Sequence, residues 1–156
     1  MKGNKDLIKK LNELLADELT AISQYMVHSE MCENWGYARL HGMIEKRAFT
    51  EMKHAEKLIG RILFLEGIPT VSKLNAMTIG SEVPKMFEND MGLETDAINK
   101  YNQVIKLAVE VGDNATKQIL ESILADEDQH VDQIEENLDQ ISQLGTQIYL
   151  CNQVRE

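Results

Sequence analysis

The chain has 156 residues, the length of one ordinary domain, so a large multidomain assembly within a single copy is excluded. Its 26 acidic residues outnumber its 16 basic residues, and the net charge of −10 argues against nucleic acid or an anionic membrane surface as the main partner. Only 5% of the residues are aromatic, 2 are proline, and good helix formers are plentiful. The composition therefore predicts an all-α protein.

The first two helices are predicted to form a hairpin. Apolar residues recur at helical spacing over residues 5–33 and again over residues 38–66, with no proline in either stretch. Between them, Asn34, Trp35 and Gly36 supply residues typical of a turn and a helix C-terminus. Because the connection is short, the two helices should lie antiparallel and in contact.

A long connection and a second hairpin follow. Residues 67–83 contain Pro69, Gly80 and several polar side chains, and they are far more numerous than a hairpin turn requires, so they can cross the length of a bundle. Helical spacing then predicts a third helix over residues 83–111 and a fourth over residues 115–143.

The tail, residues 146–154, is expected to form a short fifth helix for which a lone bundle has no obvious place. Four helices with one long middle connection predict a ferritin-like four-helix bundle with a single crossover. We expect residues 1–156 to form one domain.

The sequence gives little indication of disulfides, thiolate metal sites or membrane-spanning segments. The two cysteines, Cys32 and Cys151, stand without a CxxC pair, which predicts neither a disulfide framework nor a thiolate zinc site and suits a reducing cytosol. No apolar run approaches the roughly 18 residues needed to span a membrane, and the N-terminus lacks the apolar stretch of a signal peptide. We therefore expect a cytoplasmic protein without a membrane partner.

Four glutamates stand in the helical pattern where apolar core residues belong. They are Glu18, Glu51, Glu94 and Glu127. A buried carboxylate is costly unless something neutralises it. Two of the four begin a Glu-x-x-His motif, which places His54 and His130 on the same helical faces as the glutamates. A single such motif is usually a solvated helix face, but a matched pair with two further glutamates indicates a metal site.

The six residues belong to an internal repeat. Glu18 and Glu51 are 33 residues apart, as are Glu94 and Glu127, and each member of the first half recurs 76 residues later. The midpoint of each pair falls at a hairpin turn, so antiparallel helices bring the pairs together about 24 Å along the bundle, at ~1.5 Å per residue. Two divalent cations would cancel four negative charges. Carboxylate and imidazole suit iron(II), manganese(II) or zinc(II).

The chain resembles the bacterioferritins over nearly its whole length, through these six residues, the turn at Trp35 and the short last helix. The resemblance implies a ferroxidase whose iron ligands are all six, with Glu51 and Glu127 bridging two irons. It also implies a hollow homo-oligomeric shell of about 24 subunits that stores ferric mineral. Iron(II) would be oxidised by dioxygen or peroxide, the preferred oxidant staying open, and a ferredoxin-type reductant would serve iron release.

The same resemblance makes Met52 the axial ligand of a haem, with one methionine from each of two subunits. Neighbouring helix residues differ by about 100°, so Met52 points away from the bundle centre if Glu51 faces it. Ordinary methionine packing at a subunit contact is the alternative. The sequence does not indicate the type of porphyrin.

Two tyrosines share the faces of the ligand candidates. Tyr25 and Tyr101 follow Glu18 and Glu94 by seven residues, so their hydroxyls are candidates to hydrogen-bond the ligands, although simple core packing explains them equally well. The resemblance makes Tyr25 a candidate electron donor.

Several polar positions of the chain can also be compared with the family. By the resemblance, Asn34, Glu66 and Asp132 match residues that line a shell pore. Some family members carry histidine and aspartate at positions 46 and 50, where they bind iron on the inner wall, and Lys46 and Thr50 here put that site in doubt.

The remaining histidines, His28 and His41, have no carboxylate at matching spacing. We expect both at the surface or in an interface and assign them no role.

Three alternative functions stay open. A rubrerythrin-like peroxidase uses a similar bundle but normally adds a Cys-rich iron domain, for which no CxxC pair exists here. A non-catalytic haem-binding or structural cage would use the bundle centre only to hold the helices together. A manganese catalase or oxygenase would share the ligand set and differ in substrate access.

Overall fold

The computed structural model describes residues 1–155, which form four long helices and a short fifth without any strand. The helices are α1 (Lys5–Asn34), α2 (Ala38–Phe64), α3 (Val83–Glu110), α4 (Asn114–Leu144) and α5 (Thr146–Cys151). The predicted all-α, ferritin-like bundle with one crossover is confirmed. Most boundaries agree with the predicted ones to within one residue. The exceptions are α2, which ends two residues early because Glu66 adopts a φ of 62°, and α5, which ends at Cys151.

The two hairpins have the same design. Gly36 ends the first turn with a φ of 83° and Gly112 ends the second with a φ of 75°, a backbone conformation that favours glycine. The N–H groups of both glycines donate to a carbonyl three residues earlier, at 3.0 Å each. Because 112 − 36 is again 76, the internal repeat includes the turns as well as the candidate ligands.

The bundle core consists of two apolar clusters separated along its length. One cluster contains Leu11, Leu58 and Leu120 with their neighbours, and the other contains Ile44, Phe87 and others. In α1 and α2, Glu18 and Glu51 occupy the sequence between the residues of these clusters. The polar centre therefore lies between two apolar layers along the bundle.

The crossover has no regular structure, yet α1 holds it along its length. Backbone N–H groups of the crossover donate to side chains spaced along one face of α1. The acceptors are Asn12 (2.7 Å), Thr20 (2.8 Å), Gln24 (3.1 Å) and His28 (2.9 Å). These bonds satisfy backbone donors that no helix or strand would otherwise pair.

The expectation that His28 lies at the surface or in an interface was wrong. His28 is fully buried, its Nε2 accepts a hydrogen bond from the N–H of Gly80, and its Nδ1 lies 2.9 Å from Oδ1 of Asp90. Both ring nitrogens therefore have partners, and the histidine joins α1, the crossover and α3. His41 is partly exposed beside Ser29, and its assignment to a surface or interface stays a prediction.

The start of α4 is capped by Asp113, whose carboxylate accepts hydrogen bonds from the N–H (3.0 Å) and hydroxyl (2.6 Å) of Thr116 and from Nη2 of Arg61 (2.7 Å). Burial alone would raise the pKa of Asp113, but the bonds from Thr116 and the Arg61 charge outweigh it and lower that pKa. The carboxylate therefore stabilises the fold in its ionised form.

Asp113→Ala should lower the free energy of unfolding by about 1–2 kcal/mol at neutral pH, since a helix cap is lost. The folded pKa is lowered, so this stabilisation is complete above the unfolded pKa of about 3.9 and disappears as pH falls through the folded value. Urea unfolding from pH 7 to pH 3 checks the trend against Asp139→Ala, an exposed change in the same helix. A difference that grows towards acid pH would contradict the prediction.

No helix among residues 1–155 combines the length and the apolar character needed to cross a membrane.

Candidate metal centre

The six side chains singled out by the repeat meet in the middle of the bundle. The structure forms two groups of four residues, and the potential ligand atoms within each group lie within 4.8 Å of one another. The first group is Glu18, Glu51, His54 and Glu127, and the second is Glu51, Glu94, Glu127 and His130. Every helix of the bundle contributes, α2 and α4 with a Glu-x-x-His motif each and α1 and α3 with one glutamate each.

Glu51 and Glu127 belong to both groups, and each directs one oxygen to each histidine. His54 Nδ1 lies 2.7 Å from Oε2 of Glu51 and 3.3 Å from Oε1 of Glu127. His130 Nδ1 lies 2.9 Å from Oε1 of Glu51 and 3.1 Å from Oε2 of Glu127. The other two carboxylates belong to one group each. Oε1 of Glu18 lies 3.7 Å from Nδ1 of His54, and Oε1 of Glu94 lies 3.3 Å from Nδ1 of His130. We call Glu18 and Glu94 the terminal glutamates. The arrangement offers two adjacent positions that share two carboxylates.

The buried oxygen and nitrogen atoms of the centre are better partners for a cation than for one another. Both oxygens of Glu51 and Nδ1 of His54 are buried without a well-aligned hydrogen bond, although they lie close together. Carboxylate oxygens and imidazole nitrogens that converge in this way form a typical site for iron(II), manganese(II) or zinc(II). The residues present therefore fit a pair of divalent cations.

Protons balance the charges of the centre. Burial raises the pKa of Glu18 well above its usual value and that of Glu94 to about 8. Burial would also raise the pKa values of Glu51 and Glu127, but the two histidines close to their oxygens lower both. A metal ion needs deprotonated ligands and must displace the protons held here.

The neighbouring carboxylates raise the pKa values of the two histidines. Burial alone would lower the pKa of His130, yet Glu127, Glu51 and Glu94 raise it to about 11. Burial opposes protonation of His54 too, and its carboxylate neighbours, Glu127 first, raise its pKa further.

Two buried tyrosines connect the terminal glutamates across the bundle. Tyr25 of α1 donates its hydroxyl hydrogen bond to Oε1 of Glu94 in α3, and Tyr101 of α3 donates to Oε1 of Glu18 in α1. Burial raises the pKa of both hydroxyls well above the usual value, so they remain protonated donors. Each tyrosine thus contacts the terminal glutamate that belongs to the other half of the repeat.

A cavity of about 170 Å³ leads from the four glutamates towards solvent between α1, α3 and the crossover. At its outer end, Asp17 accepts hydrogen bonds from Nζ of Lys100 at 2.8 Å and from Nδ2 of Asn75 at 2.6 Å. Lys100 is half exposed. A cation that enters by this route competes with the Lys100 ammonium group for Asp17.

Comparison with known proteins agrees with the fold. The chain matches the ferritin-like domain family over residues 8–144. A bacterioferritin of Rhodobacter capsulatus is 42% identical over 147 residues, which cover 94% of this chain and 91% of the relative. The bacterioferritin BfrA of Mycobacterium tuberculosis is 38% identical over 149 residues, which cover 96% of this chain and 94% of the relative. The chain belongs to the bacterioferritin family. The bacterioferritin of Brucella melitensis is 37% identical over 149 residues, which cover 96% of this chain and 92% of the relative.

The other positions that the sequence suggested for a bacterioferritin lie outside the centre. Met52 is 38% exposed on the outer side of α2, one residue from the buried Glu51. Asn34, Glu66 and Asp132 are all exposed, and they lie at the end of α1, after α2 and within α4. One copy of the chain does not gather these three residues into a pore.

Sequence reasoning missed a buried polar network beside the centre. Asp90 is fully buried in α3, where its Oδ1 accepts from Nε2 of Gln24 at 2.9 Å and its Oδ2 lies 3.7 Å from Nη1 of Arg47. The Arg47 guanidinium, also buried, lies 5.3 Å from the centre of the Tyr25 ring. These polar residues interrupt the apolar pattern of their helices as the four glutamates do, so the same signal would have found them.

Proposed function

We propose that this protein stores iron and oxidises iron(II) at the centre between its four helices. The sharing of Glu51 and Glu127 supports this most directly, because two carboxylates common to both groups would hold two iron(II) ions side by side. Each iron(II) gives up one electron, and one peroxide molecule accepts two electrons and two protons to form two waters. Delivering both electrons together avoids one-electron radical products. Dioxygen would accept four electrons from two such pairs.

The protein's own groups do three things in this reaction. The four carboxylates stabilise the higher charge of iron(III), and the two imidazoles release protons as the ions bind. Tyr25 and Tyr101 hold Glu94 and Glu18 at fixed distances from the bridging pair. The apolar layers on either side lower the polarity around the centre, which strengthens the electrostatic interactions within it.

Storage requires a container, and the surface of the chain fits assembly. Bacterioferritin relatives and the family imply a homo-oligomeric shell, for which we propose about 24 copies with closed symmetry in the cytoplasm. Large apolar side chains stand exposed on a single copy, among them Phe49, Leu63 and Ile148. Contacts between copies would bury such residues. The short helix α5 packs its Tyr149 against Phe87 of the bundle, while its Ile148 stays exposed for a neighbouring copy.

The test adds iron(II) in air to the iron-free protein and follows ferric absorbance, then measures the iron that remains with the protein after size-exclusion chromatography. We expect oxidation much faster than in buffer, a large closed assembly, and far more iron than two ions per chain. Elution as a monomer or dimer would refute the storage shell. Oxidation no faster than in buffer would instead favour the non-catalytic cage.

We further infer that Met52 binds haem together with Met52 of a second copy. The thioether of an exposed methionine is a suitable axial ligand for haem iron, and Phe49, 57% exposed one turn earlier, offers apolar surface on the same face. A bound haem would carry electrons between a reductant of the ferredoxin type and the stored iron. Met52 itself would fix the haem between the two copies.

A further inference from the structure

The two histidines of the centre are held differently on the side away from the glutamates. Nε2 of His54 lies 2.9 Å from Oδ2 of Asp126, a partly exposed residue one position before Glu127 in α4. Nδ1 of the same ring faces Glu51 and Glu127. His54 is therefore fixed at both ring nitrogens, and its side chain is only 1% exposed.

His130 lacks the second attachment. Its Nδ1 faces the glutamates, but within residues 1–155 no hydrogen bond or ion pair reaches its Nε2. Its side chain is 12% exposed, and it lines a separate cavity of about 230 Å³ together with Lys46, Thr50 and Gln129. The outer edge of this ring faces the cavity.

The internal repeat explains the difference. The counterpart of Asp126, 76 residues earlier, is Thr50, which stands on α2 with the same relation to His130 as Asp126 has to His54. Thr50 supplies no carboxylate, and its hydroxyl donates to the carbonyl of Lys46 at 3.2 Å. One half of an otherwise matched centre thus has a supporting carboxylate and the other half has none.

A carboxylate on the outer nitrogen of a ligating histidine fixes the ring's orientation and makes the inner nitrogen a stronger donor. We propose that Asp126 is a positioning residue that makes the two metal positions unequal. The position with Glu18 and His54 binds a divalent cation first and more tightly, and the position with Glu94 and His130 is the weaker one because of Thr50. This inference rests on the proposed function, since it requires that the centre binds two ions.

The experiment titrates the iron-free full chain with cobalt(II), a divalent cation that is not consumed by the oxidation expected of iron(II). Binding is followed by calorimetry and visible absorbance. The wild-type protein should bind two ions per chain in two steps. His54→Ala should remove the tighter step and His130→Ala the weaker one.

The supporting residues are then changed without touching a ligand. Asp126→Ala should weaken the tighter step by about 10–100-fold, the range found for such outer partners, and bring the two steps together. Asp126→Asn keeps an acceptor for Nε2–H of His54, so its affinity in the tighter step should lie between those of the wild type and Asp126→Ala. Asp128→Ala removes an exposed carboxylate two residues further along α4 and should leave both steps unchanged. Circular dichroism confirms that each variant is folded.

Thr50→Asp tests the other half, because it supplies the missing carboxylate. It should strengthen the weaker step, still with two ions per chain, and a third bound ion would refute this role of Thr50. Two equal steps in the wild type, or an Asp126→Ala variant that binds as the wild type does, would overturn the inference and leave the proposed function standing. Fewer than two ions bound by the wild type would overturn both.

Discussion

Glu127→Ala should abolish fast oxidation of iron(II) while leaving the fold and the shell intact. Glu127 presents one oxygen to each of the two metal positions, so its loss weakens both at once. Replacing a residue that merely supports a metal ligand costs about 10–100-fold, and a shared ligand should cost at least the upper end of that range. Stopped-flow absorbance of the ferric product, with two iron(II) ions added per chain, measures the initial rate.

The fold should tolerate this change because the two apolar clusters on either side of the centre, which form most of the bundle core, are untouched. Glu135→Ala is the matched control, since Glu135 is an exposed glutamate of the same helix. It should oxidise iron(II) at the wild-type rate. If Glu127→Ala also does so while its size-exclusion profile is normal, iron is oxidised elsewhere, and the assignment of the centre fails.

The fold was predictable because its signals are periodic. Apolar residues at helical spacing indicate each long helix, and the repeat of 76 residues aligns the two hairpins, including the turns at Gly36 and Gly112. A buried glutamate is unusual enough that four of them at repeated positions identified the residues that the structure brings together. Their role as iron ligands stays a prediction until iron binding is measured.

The crossover was not predictable in the same way. Its path depends on single hydrogen bonds from backbone N–H groups to side chains of α1, and such bonds leave no periodic pattern in the sequence. His28 shows the consequence, since a histidine without a carboxylate at helical spacing is expected at the surface or in an interface. Its partners, Gly80 and Asp90, are remote in the sequence, and only the tertiary structure brings them to the ring.

Residues around the centre also escaped prediction when they were partly exposed. Asp126 and Lys100 occupy helix positions where a charged residue is normally solvated, so their type alone says nothing about a partner. The repeat does carry information about Asp126, because it departs from exact symmetry there and has Thr50 as its counterpart. Comparing the two halves for differences as well as similarities would have directed attention to this pair.

Met52→Leu should eliminate haem binding altogether, since leucine offers no axial ligand and each haem would need one sulfur from each of two copies. The substitution nearly conserves volume and apolar character at a partly exposed position, so the subunit contact should survive. The protein is produced with ample haem, purified, and its haem per chain is measured from the visible spectrum. Met26→Leu, at the more exposed Met26 of α1, is the control and should keep the wild-type haem content. Because Met52 lies outside the centre, both variants should oxidise iron(II) at the wild-type rate, and haem that persists in Met52→Leu would show that another residue is the ligand.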